Sequence, residues 1–171
     1  MGYLKNTRCY LSGAIECDPS MINWRVNVKK ELQNRFQIDI FDPFEDPKQQ
    51  HSKELKIAKE QENYEEVVKI VKGFVRKDLS EVDVSKFLIA RVSYLIPTVG
   101  TCHEIINSNN LKKPTLLVCE EGKNKTPSWY FGFISHKHIF GSWEDLYAYL
   151  TEVDQGKHMD NDRWSIIYKL L

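Results

Sequence analysis

The residues able to do bond-breaking chemistry gather in four stretches: Ser12 to Cys17, Asp42 to Asp46, the region around Asp78, and Ser93 to Glu104. Glu104 follows a Gly100-Thr101 turn, and the spacing predicts that it falls in the first turn of a helix. There the partial positive charge of unpaired amides favours an ionised carboxylate, the form a nucleophile or a stabiliser of positive charge must take. Asp78 is expected near the end of the preceding helix, against the opposite end of a dipole, where its charge is disfavoured and its pKa rises toward that of a proton donor. Two carboxylates in unlike environments suggest an acid and a nucleophile, the pairing used in retaining glycoside hydrolysis. Spacing alone leaves the plainer readings open: a glutamate in a first helical turn is common for local reasons, and Asp78 reads equally as a surface charge.

The elements that must position these groups alternate between strand and helix, the order that a parallel sheet with crossover helices requires. Cys9-Tyr10-Leu11 running into Ser12-Gly13 reads as a buried strand ending at a turn. From Asn23 to Phe36, Trp24, Val28, Leu32 and Phe36 recur at helical spacing. Ile38 to Phe41 is the second strand, stopped by Asp42-Pro43 because proline cannot donate to a ladder. The polar run from Asp46 to Asn63 reads as a solvated loop or exposed helix face, with a lid over the site as the alternative. Tyr64 to Val75 is an amphipathic helix leading into Arg76 to Leu79. Phe87 to Val92 has the unbroken apolar character of a central parallel strand. A loop with Pro97 precedes a short helix ending near Asn110; Pro114 to Cys119 is the fourth strand and Lys137 to Phe140 the fifth. Ser142 and Asp145 form a weak capping box ahead of a last helix carrying Leu146, Tyr149 and Leu150. The fold expected is a single-domain α/β, Rossmann-like or flavodoxin-like three-layer sandwich spanning residues 1–171, with a mostly parallel sheet of about five strands. In such sheets the site lies beyond the carboxyl ends of the strands, where the stretches named above converge.

Bulk properties narrow the partners. With 171 residues, 42% of them hydrophobic, the chain can bury a core without staples or metals. Lysines and arginines number 24, as do aspartates and glutamates, so no excess positive field draws the chain to a nucleic-acid polymer or an anionic membrane. A small-molecule partner is expected. Cys9, Cys17, Cys102 and Cys119 show no CxxC pair, the first residues lack the apolar run of a signal peptide, and no stretch reaches the roughly 18 apolar residues of a membrane span. A soluble, cytoplasmic protein with reduced thiols is expected. The apolar tail from Trp164 to Leu171 either packs back on the domain or meets another subunit. His136 and His138 alternate on the presumed fifth strand, but no third ligand stands at metal spacing, so paired surface histidines are the better reading. Trp129 and Tyr130 read either as core aromatics or as a surface on which a base stacks at the pocket mouth.

The chain resembles the nucleoside 2-deoxyribosyltransferase family and the related deoxynucleoside 5′-monophosphate N-glycosidases over most of its length. The likeness is carried by Cys9-Tyr10-Leu11-Ser12-Gly13-Ala14-Ile15, Phe41-Asp42-Pro43, Lys77-Asp78-Leu79 and Gly100-Thr101-Cys102-His103-Glu104. The resemblance implies that Glu104 attacks the anomeric carbon of deoxyribose to form a covalent glycosyl-enzyme. It implies that Asp78 places the sugar or handles the proton on the base, and that Tyr10 orients the nucleophile, although Tyr10 reads equally as a core aromatic. It also implies a substrate-binding set of Ser12, Gly13, Ala14, Asp42, Thr98, Gly100, Thr101 and Trp129.

Thr98 stands six residues before Glu104, where the nucleoside transferases carry an acidic residue for the sugar hydroxyl. The monophosphate-cleaving relatives carry a small hydroxyl residue there, so Pro97-Thr98 favours a 5′-nucleotide, with Ser12, Gly13 and Arg25 as further phosphate contacts; Arg25 reads otherwise as a solvated charge. The expected activity is transfer of a deoxyribosyl group from a nucleoside or nucleotide to a free base, without metal or organic cofactor, in a homo-oligomer. Hydrolysis of a nucleoside 5′-monophosphate is the alternative, and a nucleotide-binding or sensor module without turnover is the reading from another class.

Overall fold

The computed structural model describes residues 2–15, 21–45, 52–96 and 98–168. Five strands, β1 (Arg8–Ser12), β2 (Asp39–Phe41), β3 (Phe87–Arg91), β4 (Thr115–Val118) and β5 (Ile139–Phe140), form one sheet in the order β2-β1-β3-β4-β5. Every pairing is parallel. This is the doubly wound order of flavodoxin-like folds, with its topological switch between β1 and β3.

Side-chain alternation explains the layers. Because successive residues of a strand point to opposite faces, Cys9 and Leu11 join Phe87, Ile89, Leu116 and Val118 on one face, where α1 (Met21–Phe36) and α5 (Trp143–Asp154) cover them. Tyr10, Leu88, Ala90 and Leu117 face the other way, with Val82 of α3 (Tyr64–Val84) and Ile105 of α4 (Val99–Asn110) among their buried neighbours. The expected stripe of α1, Trp24, Val28, Leu32 and Phe36, is buried throughout. Each such side chain removed from water contributes roughly 1.5–3 kcal/mol. The apolar tail folds back: Trp164 is fully buried, and Ile167 of α6 (Ser165–Tyr168) lies in the same cluster. Residues 169–171 lie outside the described residues.

The polar run takes the exposed-helix form of its expected reading, since α2 (Ser52–Glu60) turns Leu55 and Ala58 inward while its charges face out; the part at 46–51 lies outside the described residues. Other expectations change. Helix α3 continues to Val84, well past the expected end near Val75. The Lys113 ammonium closes it by donating to the carbonyls of Val82, at 2.8 Å, and Ser85, at 2.7 Å. Asp78 is therefore a mid-helix residue, and the proposed dipole effect on it loses its basis, because such effects fade within the last turn. His136 and His138 do not alternate on a strand: they occupy a single 3-10 turn, with His138 buried and His136 exposed. The capping of α5 is as expected, with the Ser142 hydroxyl accepting from the Asp145 N–H at 3.2 Å. Among the described residues no helix is long and apolar enough to cross a membrane.

Candidate functional site

The first strand and the helix after the third meet at the switch point. Tyr10 and Ser12 are two residues apart and so share a face of β1, the face toward α4. Helix α4 starts at a cap: the Thr98 Oγ1 accepts from the Thr101 N–H at 3.2 Å and donates to the Thr101 Oγ1 at 2.7 Å. Glu104, inward on the second turn, is then delivered to β1. The Tyr10 hydroxyl donates to Glu104 Oε1 at 2.8 Å, and the Ser12 hydroxyl donates to Oε2.

This carboxylate is only 8% exposed. Burial pushes its pKa up to about 7; the hydrogen bonds from Ser12 and Tyr10 and the Arg25 charge pull the other way, while the Asp78 charge adds to the rise. The sequence spacing predicts Glu104 in the first turn of α4, where the helix start favours an ionised carboxylate; it lies in the second turn, and burial works against its charge. The residue sits past the turn with unpaired amides, and desolvation outweighs what remains of the dipole. Tyr10 is a firm donor: burial, followed by the charges of Glu104 and Asp78, drives its own ionisation out of reach. Stacking on Phe41, with ring centroids 5.6 Å apart, holds its ring. Asp78 is half-buried on α3, and its field is felt by both Glu104 and Tyr10.

Arg25 has a role that the sequence did not reveal. It is 1% exposed rather than solvated. Its Nη1 donates to the Leu11 carbonyl at 3.3 Å and its Nη2 to the Gly13 carbonyl at 2.8 Å. The guanidinium thus grips the backbone on both sides of Ser12. Its charge is balanced by buried Asp42, 2.6 Å from Nη1, whose other oxygen lies 3.4 Å from Lys29. The signal available in the sequence was weak: an arginine directly after Trp24 on the inward stripe, with an aspartate ending β2. Gly13 is needed for close approach, since a Cβ there would sit 2.6 Å from Trp24 Cζ2.

The other predicted residues divide. Ala14 is half-buried beyond Gly13, and Thr101 is buried beneath the cap of α4. A Cβ on Gly100 would meet nothing within 4 Å among the described residues, and Val99 and Gly100 are both exposed at the start of α4. Trp129 is 84% exposed in the 3-10 turn Ser128–Gly132, while its neighbour Tyr130 is buried with its hydroxyl 2.9 Å from Cys102 Sγ on α4. That contact pins the turn to the helix carrying Glu104. Asp42 is occupied with Arg25 and Lys29. Pro97 and Cys17 lie outside the described residues. Among the described residues no group of three or more His, Cys, Asp or Glu could hold a metal ion.

Chemically, the arrangement is a single buried carboxylate with both oxygens oriented by hydroxyl donors, a second carboxylate near it, and exposed residues at the adjoining helix start. It can present an oriented anion to an electrophilic carbon or exchange a proton near neutral pH. No family model matches the sequence, and no curated protein matches it. Among solved structures the fold is similar to a 2-deoxyribosyltransferase of the psychrotolerant bacterium Bacillus psychrosaccharolyticus, described as a biocatalyst for nucleoside synthesis. The TM-score is 0.56 at 13% identity, over 82% of this chain and 90% of that one.

Proposed function

We propose that this chain cleaves the N-glycosidic bond of a deoxynucleoside or its 5′-monophosphate, with Glu104 as nucleophile. The observation that carries the reading is the buried Glu104 carboxylate at the β1/β3 switch, held through both oxygens by Tyr10 and Ser12. In the first step a Glu104 oxygen bonds to C1′ as the C1′–N bond breaks; the bonding pair leaves with the base, which takes a proton from Asp78 or from a water that Asp78 holds. Tyr10 and Ser12 keep the carboxylate aimed, so little reorganisation accompanies attack. In the second step a nitrogen of another base displaces Glu104 from C1′ and returns a proton to Asp78 or to the hydroxide left where it held a water, which completes transfer. Water in place of that base completes hydrolysis. Deoxyribose suits this route because it lacks the electron-withdrawing 2′-hydroxyl that disfavours an oxocarbenium-like transition state.

A 5′-monophosphate is the second reading, favoured by the α4 start, where a hydroxyl cap at Thr98 and an exposed Gly100 stand in place of a carboxylate. Trp129 is the residue proposed to stack on the base. The protein works as a homo-oligomer in this reading, through the exposed apolar residues Ile57, Tyr64, Val68 and Val75 of α2 and α3 rather than the buried Trp164; a clean monomer in sedimentation with full activity would remove that part. The test of the activity is chromatography of a panel of nucleosides and 5′-nucleotides, each incubated with and without an acceptor base. Release of base by the wild type and its loss in Glu104→Gln supports the reading. Saturable binding with no base released leaves a nucleotide-binding module and overturns it.

A further inference from the structure

A cavity of about 440 Å³ opens at the far end of the sheet from Glu104, within the roughly 300–1,000 Å³ range of small-molecule sites. Thr115, the first residue of β4, and His138, directly before β5, both line it, so it lies at the amino ends of the strands. Ser12, which holds Glu104, is the last residue of β1, at the carboxyl end. The two sites are separate.

One wall is aromatic. The Tyr149 ring lies 4.7 Å from the His158 ring and 5.6 Å from that of His138, centroid to centroid. Its hydroxyl accepts from Trp164 Nε1 at 2.7 Å and lies 2.9 Å from His138 Nε2. Burial, aided by the charges of Arg163 and His158, pushes His138 down to about 4 and keeps it neutral.

The other walls are cationic. Among the described residues, Lys113, Lys137 and Arg163 line the cavity against one carboxylate, Asp160. Lys113 has its ammonium on the end of α3 and supplies field rather than contact. Arg163 uses Nη1 on the Asn109 carbonyl at 2.9 Å; among the described hydrogen bonds its guanidinium spends no other nitrogen. Lys137 is exposed at the rim. The arrangement sets two cationic heads beside an aromatic wall in a cavity larger than an inorganic ion needs.

We propose that this cavity is a second binding site, for a small aromatic phosphate monoester whose ring lies against Tyr149 and whose phosphate meets Arg163 and Lys137. Arginine's planar fork suits a phosphate. The ring supplies the apolar area that phosphate alone lacks, so both parts are needed for useful affinity. The site does not depend on Glu104 chemistry.

The experiment titrates 15N-histidine-labelled protein with a nucleoside 5′-monophosphate, with the matching nucleoside and with inorganic phosphate, following the His138 ring signals. All three titrations are run in Glu104→Gln, which turns nothing over, and repeated with Lys137→Glu added; Lys137 is exposed, so the fold is kept. The monophosphate should shift His138 saturably, the nucleoside and inorganic phosphate at least about tenfold more weakly, and Lys137→Glu should weaken the monophosphate about tenfold or more. Arg163→Lys should give a smaller loss in the same direction. Absence of a saturable His138 shift up to millimolar monophosphate overturns the site, as does an affinity untouched by Lys137→Glu. Failure of the glycosidic reading would leave these results unchanged.

Discussion

The Tyr10 hydroxyl reaches Glu104 Oε1 across 2.8 Å and so ties the first strand to the helix that follows the third. A hydrogen bond to a charged group contributes about 1.5–3 kcal/mol, and this one also lowers the Glu104 pKa. Tyr10→Phe should cut kcat/KM by roughly ten- to a hundredfold and move the acidic limb of its pH profile upward. An unchanged profile in Tyr10→Phe would show that the bond plays no part in setting the nucleophile.

Rate should follow the ionised fraction of Glu104. With its pKa pushed up to about 7, kcat/KM for the wild type should rise about tenfold per pH unit below that value and level off above it. A nucleophile with an ordinary carboxylate pKa would give a flat profile from pH 5 upward, and that result would contradict the assigned environment.

The same shift carries a cost in stability whose sign can be worked out. The folded Glu104 binds its proton more tightly than the unfolded chain does, so the folded state holds more protons between about 4.5 and 7. Stability contributed by this group therefore falls as pH rises through that window. The loss is on the order of 3 kcal/mol at 1.36 kcal/mol per unit. Glu104→Gln should be more stable than the wild type at pH 8 and close to it at pH 4.5, as read by urea denaturation. Equal stability at pH 8 would mean that the carboxylate is better solvated than its burial implies.

Arg25 and Asp42 form a buried ion pair, each side chain 1% exposed. Removing one partner strands the other charge, so Arg25→Met should destabilise the fold by about 3–5 kcal/mol. Arg25→Met with Asp42→Asn should lose less than the sum of the single changes. Strict additivity in denaturant unfolding would deny the coupling.

Thr98→Asp tests the substrate. Aspartate caps a helix about as well as threonine, so α4 should keep its start and any change should report on the ligand. In the wild type a 5′-monophosphate should react better than its nucleoside; with the introduced carboxylate repelling phosphate, the kcat/KM ratio should narrow or reverse, since such like-charge contacts cost several kcal/mol. If nucleoside and nucleotide react equally and the ratio ignores the substitution, phosphate is not read at this position.

Local pattern in the sequence was enough for the order of strands and helices, because alternation and helical spacing are recorded residue by residue. The unbroken apolar run Phe87 to Val92 marked a central strand, and the stripe Trp24 to Phe36 marked a covering helix. Ser12 and Glu104 were legible as candidates, since residue type and proximity to strand ends are local properties, whereas Tyr10 entered only through the family resemblance. What Glu104 experiences was not legible: its distance along α4 suggested a dipole, whereas its pKa depends on how much water the β1 and α4 packing removes. The end of α3 was hidden for a similar reason, because the lysine that closes it comes from the loop before β4. Arg25 reads as an ordinary helical charge until the fold brings Leu11, Gly13 and Asp42 around it. Burial, ion pairing and proton affinity depend on neighbours far apart in the chain, and only the tertiary structure decides who those neighbours are.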